Sequence, residues 1–180
     1  MQAWEKRFVN SGRHSSRVAS QAERRLRPLH PRPGQRLLDV GCGNGAAAIH
    51  LASVYELDTT GIDVDPDQIH AAAESANGLN AIRFLVGDAT ALPFPDGEFD
   101  FVYSNKTTHH IPRWQQTIGE MARVLKPGGH LVYSDFVAPL GRRLPTRAGV
   151  KTAADDQGLK RVGGSGSLLD YTVVLHKPAD

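Results

Sequence analysis

One cysteine, Cys42, stands among the 180 residues, which excludes an intrachain disulfide and a cysteine-rich metal site. No apolar run approaches the ~18 residues of a membrane-crossing helix. The N-terminal stretch is basic and polar and lacks the apolar core of a secretory signal. A cytoplasmic protein without a membrane span is the expectation. There is no internal repeat and no low-complexity tail. Acidic residues are scarce at the start: residues 1–36 carry nine Lys/Arg against two Asp/Glu, while residues 37–140 carry five against thirteen. The basic opening reads as the solvated face of a helix, and no nucleic-acid partner is expected from it. The rest of the composition, 40% hydrophobic and 22% charged, suits one globular domain able to bury a single core.

What is present is concentrated in Leu37-Leu38-Asp39-Val40-Gly41-Cys42-Gly43-Asn44-Gly45. This is a buried-strand pattern running into a glycine-rich turn, followed by the helical run Ala46 to Ala52. Glycines at 41, 43 and 45 permit a tight turn and let a ligand approach without meeting a Cβ. The start of the helix is expected to offer unpaired N–H groups. Such a junction serves nucleotide-type cofactors. Gly41, Gly43 and Ala46 also satisfy the dinucleotide pattern G-x-G-x-x-G/A, so the turn alone leaves the cofactor open.

Further strands follow at Thr59–Asp63, Ile82–Val86, Phe99–Ser104 and His130–Asp135, alternating with helices. Residues Ser15–Leu29 repeat apolar side chains at helical spacing (Val18, Ala22, Leu26, Leu29), with Ser15 or Ser16 as the cap. Pro66–Ala76 forms a helix capped by Asp65. Pro112–Leu125 forms another, stopped by Gly128 and Gly129. Beyond Asp135 the pattern weakens to at most one short helix over 137–157. A closing hairpin of Leu159–Val162 and Tyr171–Leu175 then follows, separated by Gly163–Ser167. The division expected is an N-terminal helical segment, 1–34, packed on a domain of 35–180. Alternation of this kind gives an α/β fold with the ligand beyond the carboxyl ends of the strands.

Four segments in order, LLDVGCGNG, GIDVDPDQI, GDATALPFPDGEFDFVYS and ARVLKPGGHLVYSD, resemble the class I S-adenosylmethionine-dependent methyltransferases, in the branch similar to quinone-biosynthesis and small-molecule enzymes. The resemblance implies a Rossmann-like, doubly wound seven-stranded sheet of order 3-2-1-4-5-7-6 with the last strand antiparallel. It implies S-adenosylmethionine as cofactor and a small-molecule or lipidic methyl acceptor. Residue by residue, it implies that Gly41, Gly43 and Gly45 cradle the methionine part while Asp39 supports that loop and its ammonium. Asp63 would accept from the ribose hydroxyls and Val64 would cover the adenine. Asp88 and the Ala89 N–H would read the adenine edge, and Ser104 or Asn105 would border the point of methyl transfer.

Each residue also has a plainer reading. Asp39 and Asp88 could simply anchor their turns, and Cys42 is a small buried spacer. His109 and His110, just after the fourth strand, are candidates for a general base because histidine titrates near neutrality. One of them could instead cap or pack the next helix. Trp4, Phe8 and Trp114 are candidate substrate walls or core. The strand-four end reads Ser104-Asn105-Lys106-Thr107 rather than Asn-Pro-Pro-Tyr, which the resemblance associates with planar amino acceptors. Two rivals stay open: a non-catalytic binder of the same cofactor and a nicotinamide-dependent oxidoreductase.

Overall fold

A computed structural model describes residues 12–136 and 145–179. The chain divides into two compact units, residues 1–86 and 87–180. In the first, helix α1 (Gly12–Leu26) ends in a 3-10 turn (Arg27–Leu29) and leads into β1 (Arg36–Val40), α2 (Ala46–Tyr55), β2 (Asp58–Asp63), α3 (Pro66–Ser75) and β3 (Ile82–Val86). Ala22 and Leu26, one turn apart on α1, are fully buried, and Arg24 and Arg25 in its last turn oppose the helix dipole. Strands β1, β2 and β3 pair in parallel, with Leu38 opposite Thr60 and Gly61 opposite Phe84. Leu37, Leu38 and Val40 are all buried, the near-continuous apolar run of a strand covered on both faces. Asp39 is buried among them, and that exception marks the site.

The expected cap of α3 is present: the Asp65 side chain accepts from the Asp67 N–H, and Pro66 occupies the first turn. The expected cap of α1 is not. Ser15 and Ser16 lie inside the helix, and the Ser15 hydroxyl accepts from the Asn44 side-chain amide at 3.1 Å. A second tie joins α1 to α2, His50 to Glu23 at 2.8 Å.

The second unit holds β4 (Phe99–Asn105), a 3-10 turn (Thr108–His110), α4 (Trp114–Val124), β5 (Leu125–Phe136), α5 (Arg147–Asp156), β6 (Lys160–Gly166) and β7 (Asp170–His176). β4 and β5 are parallel, β5 and β7 antiparallel, and β7 and β6 antiparallel. The strand order is β3-β2-β1-β4-β5-β7-β6, the order the resemblance implied.

Three boundaries differ from expectation. Helix α4 stops at Val124, before Gly128 and Gly129, because Leu125 is already extended and Lys177 donates its ammonium to the carbonyls of Ala122 and Leu125. Lys126–Gly129 becomes a bulge in β5 instead, with Gly128 at φ 81. Gly163–Gly166, read as a connection, belongs to β6 because β7 supplies a partner for each of those residues. Trp114 is core: it is buried, and a Cβ on Gly149 of α5 would come within 2.9 Å of its ring. Trp4 and Phe8 lie outside the described residues.

Candidate functional site

The first unit carries a cradle at the β1–α2 junction. Gly41, Gly43 and Gly45 adopt φ of 73, 52 and 77, which disfavour any residue with a Cβ. Gly41 and Cys42 both donate to the Ile62 carbonyl, so the loop continues the β1–β2 ladder before turning away. Asp63 then fastens it: its carboxylate accepts from Gly43 N–H at 2.9 Å and from Asp65 N–H at 3.0 Å. The start of α2 is less bare than the sequence suggests. Ala46 N–H is taken by the Asn44 side chain at 3.3 Å, and Ala48 N–H by Asp39.

Two of these glycines serve different purposes. A Cβ at Gly43 would meet only the Gln68 side chain, at 3.8 Å, so the loop is open on that side. A Cβ at Gly45 would strike the Phe84 ring at 2.8 Å, and one at Gly61 would strike it at 2.5 Å. Gly45 and Gly61 therefore make room for an aromatic ring from β3, whereas Gly43 leaves room for something else.

Asp39 is 2% exposed, and its Oδ2 has no hydrogen-bond partner among the described residues. Burial, with the charge of Asp63 beside it, pushes its carboxyl up to about 7. The Gln68 Oε1 is likewise buried and unpartnered. Buried acceptors without donors are costly and rare, and a cation bearing N–H groups would satisfy them. The ammonium of S-adenosylmethionine is such a group, so these acceptors fit the cofactor the resemblance implies. Cys42 is buried, and burial raises its thiol well above the ordinary range, which matches an inert spacer. Val64, immediately after Asp63, is 73% exposed, an apolar side chain offered to solvent.

In the second unit, Asp88 is exposed and accepts from Thr90 N–H at 2.7 Å, a bond that holds its carboxyl below the usual range. Ala89 completes that turn, half-buried. Ser104, near the end of β4, is fully buried, its hydroxyl oxygen without a partner among the described residues, and Asn105 is half-buried.

The feature that sequence reasoning missed is a network behind His109. Asp135 is 0% exposed and accepts from His109 Nδ1 at 2.7 Å, His109 N–H at 3.1 Å, Thr108 Oγ1 at 2.6 Å and Phe136 N–H at 2.8 Å, with the Tyr133 hydroxyl at a longer 3.4 Å. Tyr133 OH reaches Thr108 Oγ1 at 2.5 Å. Thr108 gives its one proton to Asp135, so Tyr133 is the donor to Thr108, consistent with a phenol that burial holds well above its ordinary pKa. Burial works to raise the Asp135 carboxyl, yet the bonds from His109 and Thr108 prevail and its pKa is lowered. An ionised Asp135 accepting from Nδ1 fixes the tautomer of His109 and leaves Nε2 as the basic nitrogen. That nitrogen has no protein partner among the described residues. The His110 ring lies tilted against that of His109, with centroids 3.9 Å apart and 42° between the planes. The signal was present in the sequence as an acidic residue ending β5, but only strand register brings it to His109.

Comparison with known proteins agrees with this architecture. Residues 38–133 match the family model described as a methyltransferase domain. The chain is 38% identical over 135 residues to the 27-O-demethylrifamycin SV methyltransferase of Amycolatopsis mediterranei, covering 73% of this chain and 47% of that protein. It is 42% identical over 113 residues to the 2-methyl-6-phytyl-1,4-hydroquinone methyltransferase of Synechocystis, covering 63% of this chain and 36% of that protein. It thus spans less than half the length of these curated relatives. A SAM-dependent methyltransferase from Aquifex aeolicus has the same fold, with a TM-score of 0.81 at 21% identity over 98% of this chain and 99% of that one. The match to the family model extends over more than half of the chain, and the chain belongs to the methyltransferase-domain family.

Proposed function

We propose that this protein is an S-adenosylmethionine-dependent methyltransferase acting on a small-molecule or lipidic acceptor. The observation that carries the reading is the buried Oδ2 of Asp39, without a partner among the described residues, beside a glycine loop that is open at Gly43. In this reading Asp39 takes the ammonium of the cofactor and the Gly41–Gly45 loop cradles its methionine part. Asp63, already bonded to Gly43 N–H, keeps lone pairs for the ribose hydroxyls. Val64 covers the adenine, Asp88 and Ala89 N–H read its edge, and Ser104 and Asn105 border the transfer point. When bound, S-adenosylmethionine supplies a methyl group on a cationic sulfur that departs with the bonding electron pair.

The chain's own residues then have two tasks. One is alignment, which can be worth roughly 7–11 kcal/mol in favourable cases. The other is removal of the acceptor's proton, which we assign to Nε2 of His109, with Asp135 orienting the ring through Nδ1. His110 is assigned no proton transfer.

The test is a pair of variants assayed for methyl transfer once an acceptor is in hand. His109→Ala and Asp135→Asn should each lower kcat by about 10²–10⁴-fold, the usual worth of general acid–base catalysis. Affinity for S-adenosylhomocysteine should stay the same. Full turnover in both variants would remove the base from the reading.

A further inference from the structure

The described rim of the second unit, past the ends of β4 and β5, has a chemistry that the proton-transfer assignment leaves unused. Phe136 closes β5 with 42% of its surface exposed. His109 meets that ring edge-on at 5.0 Å between centroids, and Lys106 Nζ lies 4.4 Å from the same ring centroid. Lys106 is held there under strain, at φ 56, its N–H bonded to the Ser134 carbonyl at 2.7 Å. The other described non-glycine residues at positive φ, His30 and Glu56, sit at helix C-caps, where such a conformation is ordinary; Lys106 does not.

Further exposed apolar side chains stand at the end of β7 that pairs with Phe136. Its register partner on β7 is Asp170, and the two residues before Asp170 are Leu168 and Leu169, 94% and 78% exposed. They are not on a loose turn. Ser167 N–H donates to the Asp170 carbonyl at 2.7 Å, the Ser167 hydroxyl accepts from Leu169 N–H and Asp170 N–H at 3.1 Å each, and Arg147 donates to the Ser167 and Asp170 carbonyls. A tied hairpin thus presents two leucines to water at the end of β7 whose Asp170 is the register partner of Phe136.

The charges at this rim lean one way. Lys106 and Arg147 are cations, Asp135 is buried and paired with His109, and Asp170 is engaged by the Ser167 hydroxyl at 3.0 Å. A cationic amine brought to His109 would meet Lys106 with like charge, whereas an ionising oxygen would be drawn to it.

From this juxtaposition we propose that the acceptor is a phenol, an oxygen acid that still carries its proton near neutral pH, on an extended apolar body. Lys106 holds the oxygen, and Phe136 with Leu168 and Leu169 takes the apolar part. The inference rests on the methyltransferase reading and narrows it to O-methylation.

Calorimetric titration of the protein saturated with S-adenosylhomocysteine tests it, with 4-octylphenol, dodecylamine and phenol as probes. 4-Octylphenol should bind at least about tenfold more tightly than dodecylamine. Lys106→Met should weaken that binding about tenfold or more, with Lys106→Arg recovering most of it. Leu168→Ser combined with Leu169→Ser, both in solvent, should weaken the long probe and leave its short counterpart, phenol, unchanged. Equal or tighter binding of the amine, indifference to Lys106→Met, or loss of all probe binding while S-adenosylhomocysteine still binds would overturn the proposal. Failure to bind S-adenosylhomocysteine at all would instead overturn the reading beneath it.

Discussion

Replacing Asp39 with asparagine is expected to make the protein more stable and a poorer binder of S-adenosylhomocysteine at once. Burial moves the Asp39 carboxyl from its ordinary 3.8 to about 7. At ~1.4 kcal/mol per pKa unit, keeping that group ionised in the folded chain costs on the order of 4 kcal/mol. The sign follows from proton counting. Between about pH 4 and 7 the unfolded chain has released this proton and the folded chain still holds it, so this group lowers stability as pH rises. The penalty is absent below the unfolded pKa and complete above the folded one.

Asparagine never ionises and keeps an oxygen for Ala48 N–H. Its advantage should therefore be negligible near pH 4 and reach several degrees in Tm at pH 8. The ammonium contact is lost in exchange, at roughly 1.5–3 kcal/mol for a hydrogen bond between charged groups, or about 10- to 150-fold in Kd. Differential scanning fluorimetry at pH 4.5 and 8, with calorimetric titration of S-adenosylhomocysteine at pH 8, reads both effects. An unchanged Tm at pH 8 would refute the burial penalty. An unchanged Kd would refute the role of Asp39 in binding.

Other expectations follow from the same geometry. In the parent protein, S-adenosylhomocysteine should bind more weakly as pH falls below about 7, by up to about tenfold per unit, because binding requires Asp39 ionised; the slope should vanish in Asp39→Asn. Gly61→Ala should lose about 1–3 kcal/mol in urea unfolding, since its methyl would collide with Phe84, and Phe84→Leu in the same chain should recover part of the loss. Asp63→Ala removes both the acceptor for Gly43 N–H and the acceptor proposed for the ribose, so Kd for S-adenosylhomocysteine should rise about tenfold or more; a Kd equal to that of the parent would take Asp63 out of the site.

The sequence disclosed the fold wherever local chemistry decided it. Glycines at positive φ, apolar runs of parallel-strand length and the Asp65-Pro66 start of α3 all act within a few residues, and each element they mark is present. What stayed hidden depends on partners distant along the chain. Helix α4 ends where Lys177 collects its carbonyls, more than fifty residues downstream. The glycine-rich Gly163–Gly166 looks like a linker and becomes a strand because β7 pairs with it. Gly61 shows no purpose until Phe84 is seen lying against it. The candidate site divides along the same line. The Gly41–Gly45 turn and the acidic end of β2 are local signals and were legible. His109 and His110 were indistinguishable until the register of β5 set Asp135 against one of them.

A crystal structure of the protein with S-adenosylhomocysteine tests the central claim most directly. The account predicts the amino group of the ligand within hydrogen-bonding distance of Asp39 Oδ2, its chain along the open side of Gly43, and its ribose hydroxyls on Asp63. A ligand seated elsewhere, or a donor from the protein itself occupying Asp39 Oδ2, would contradict it.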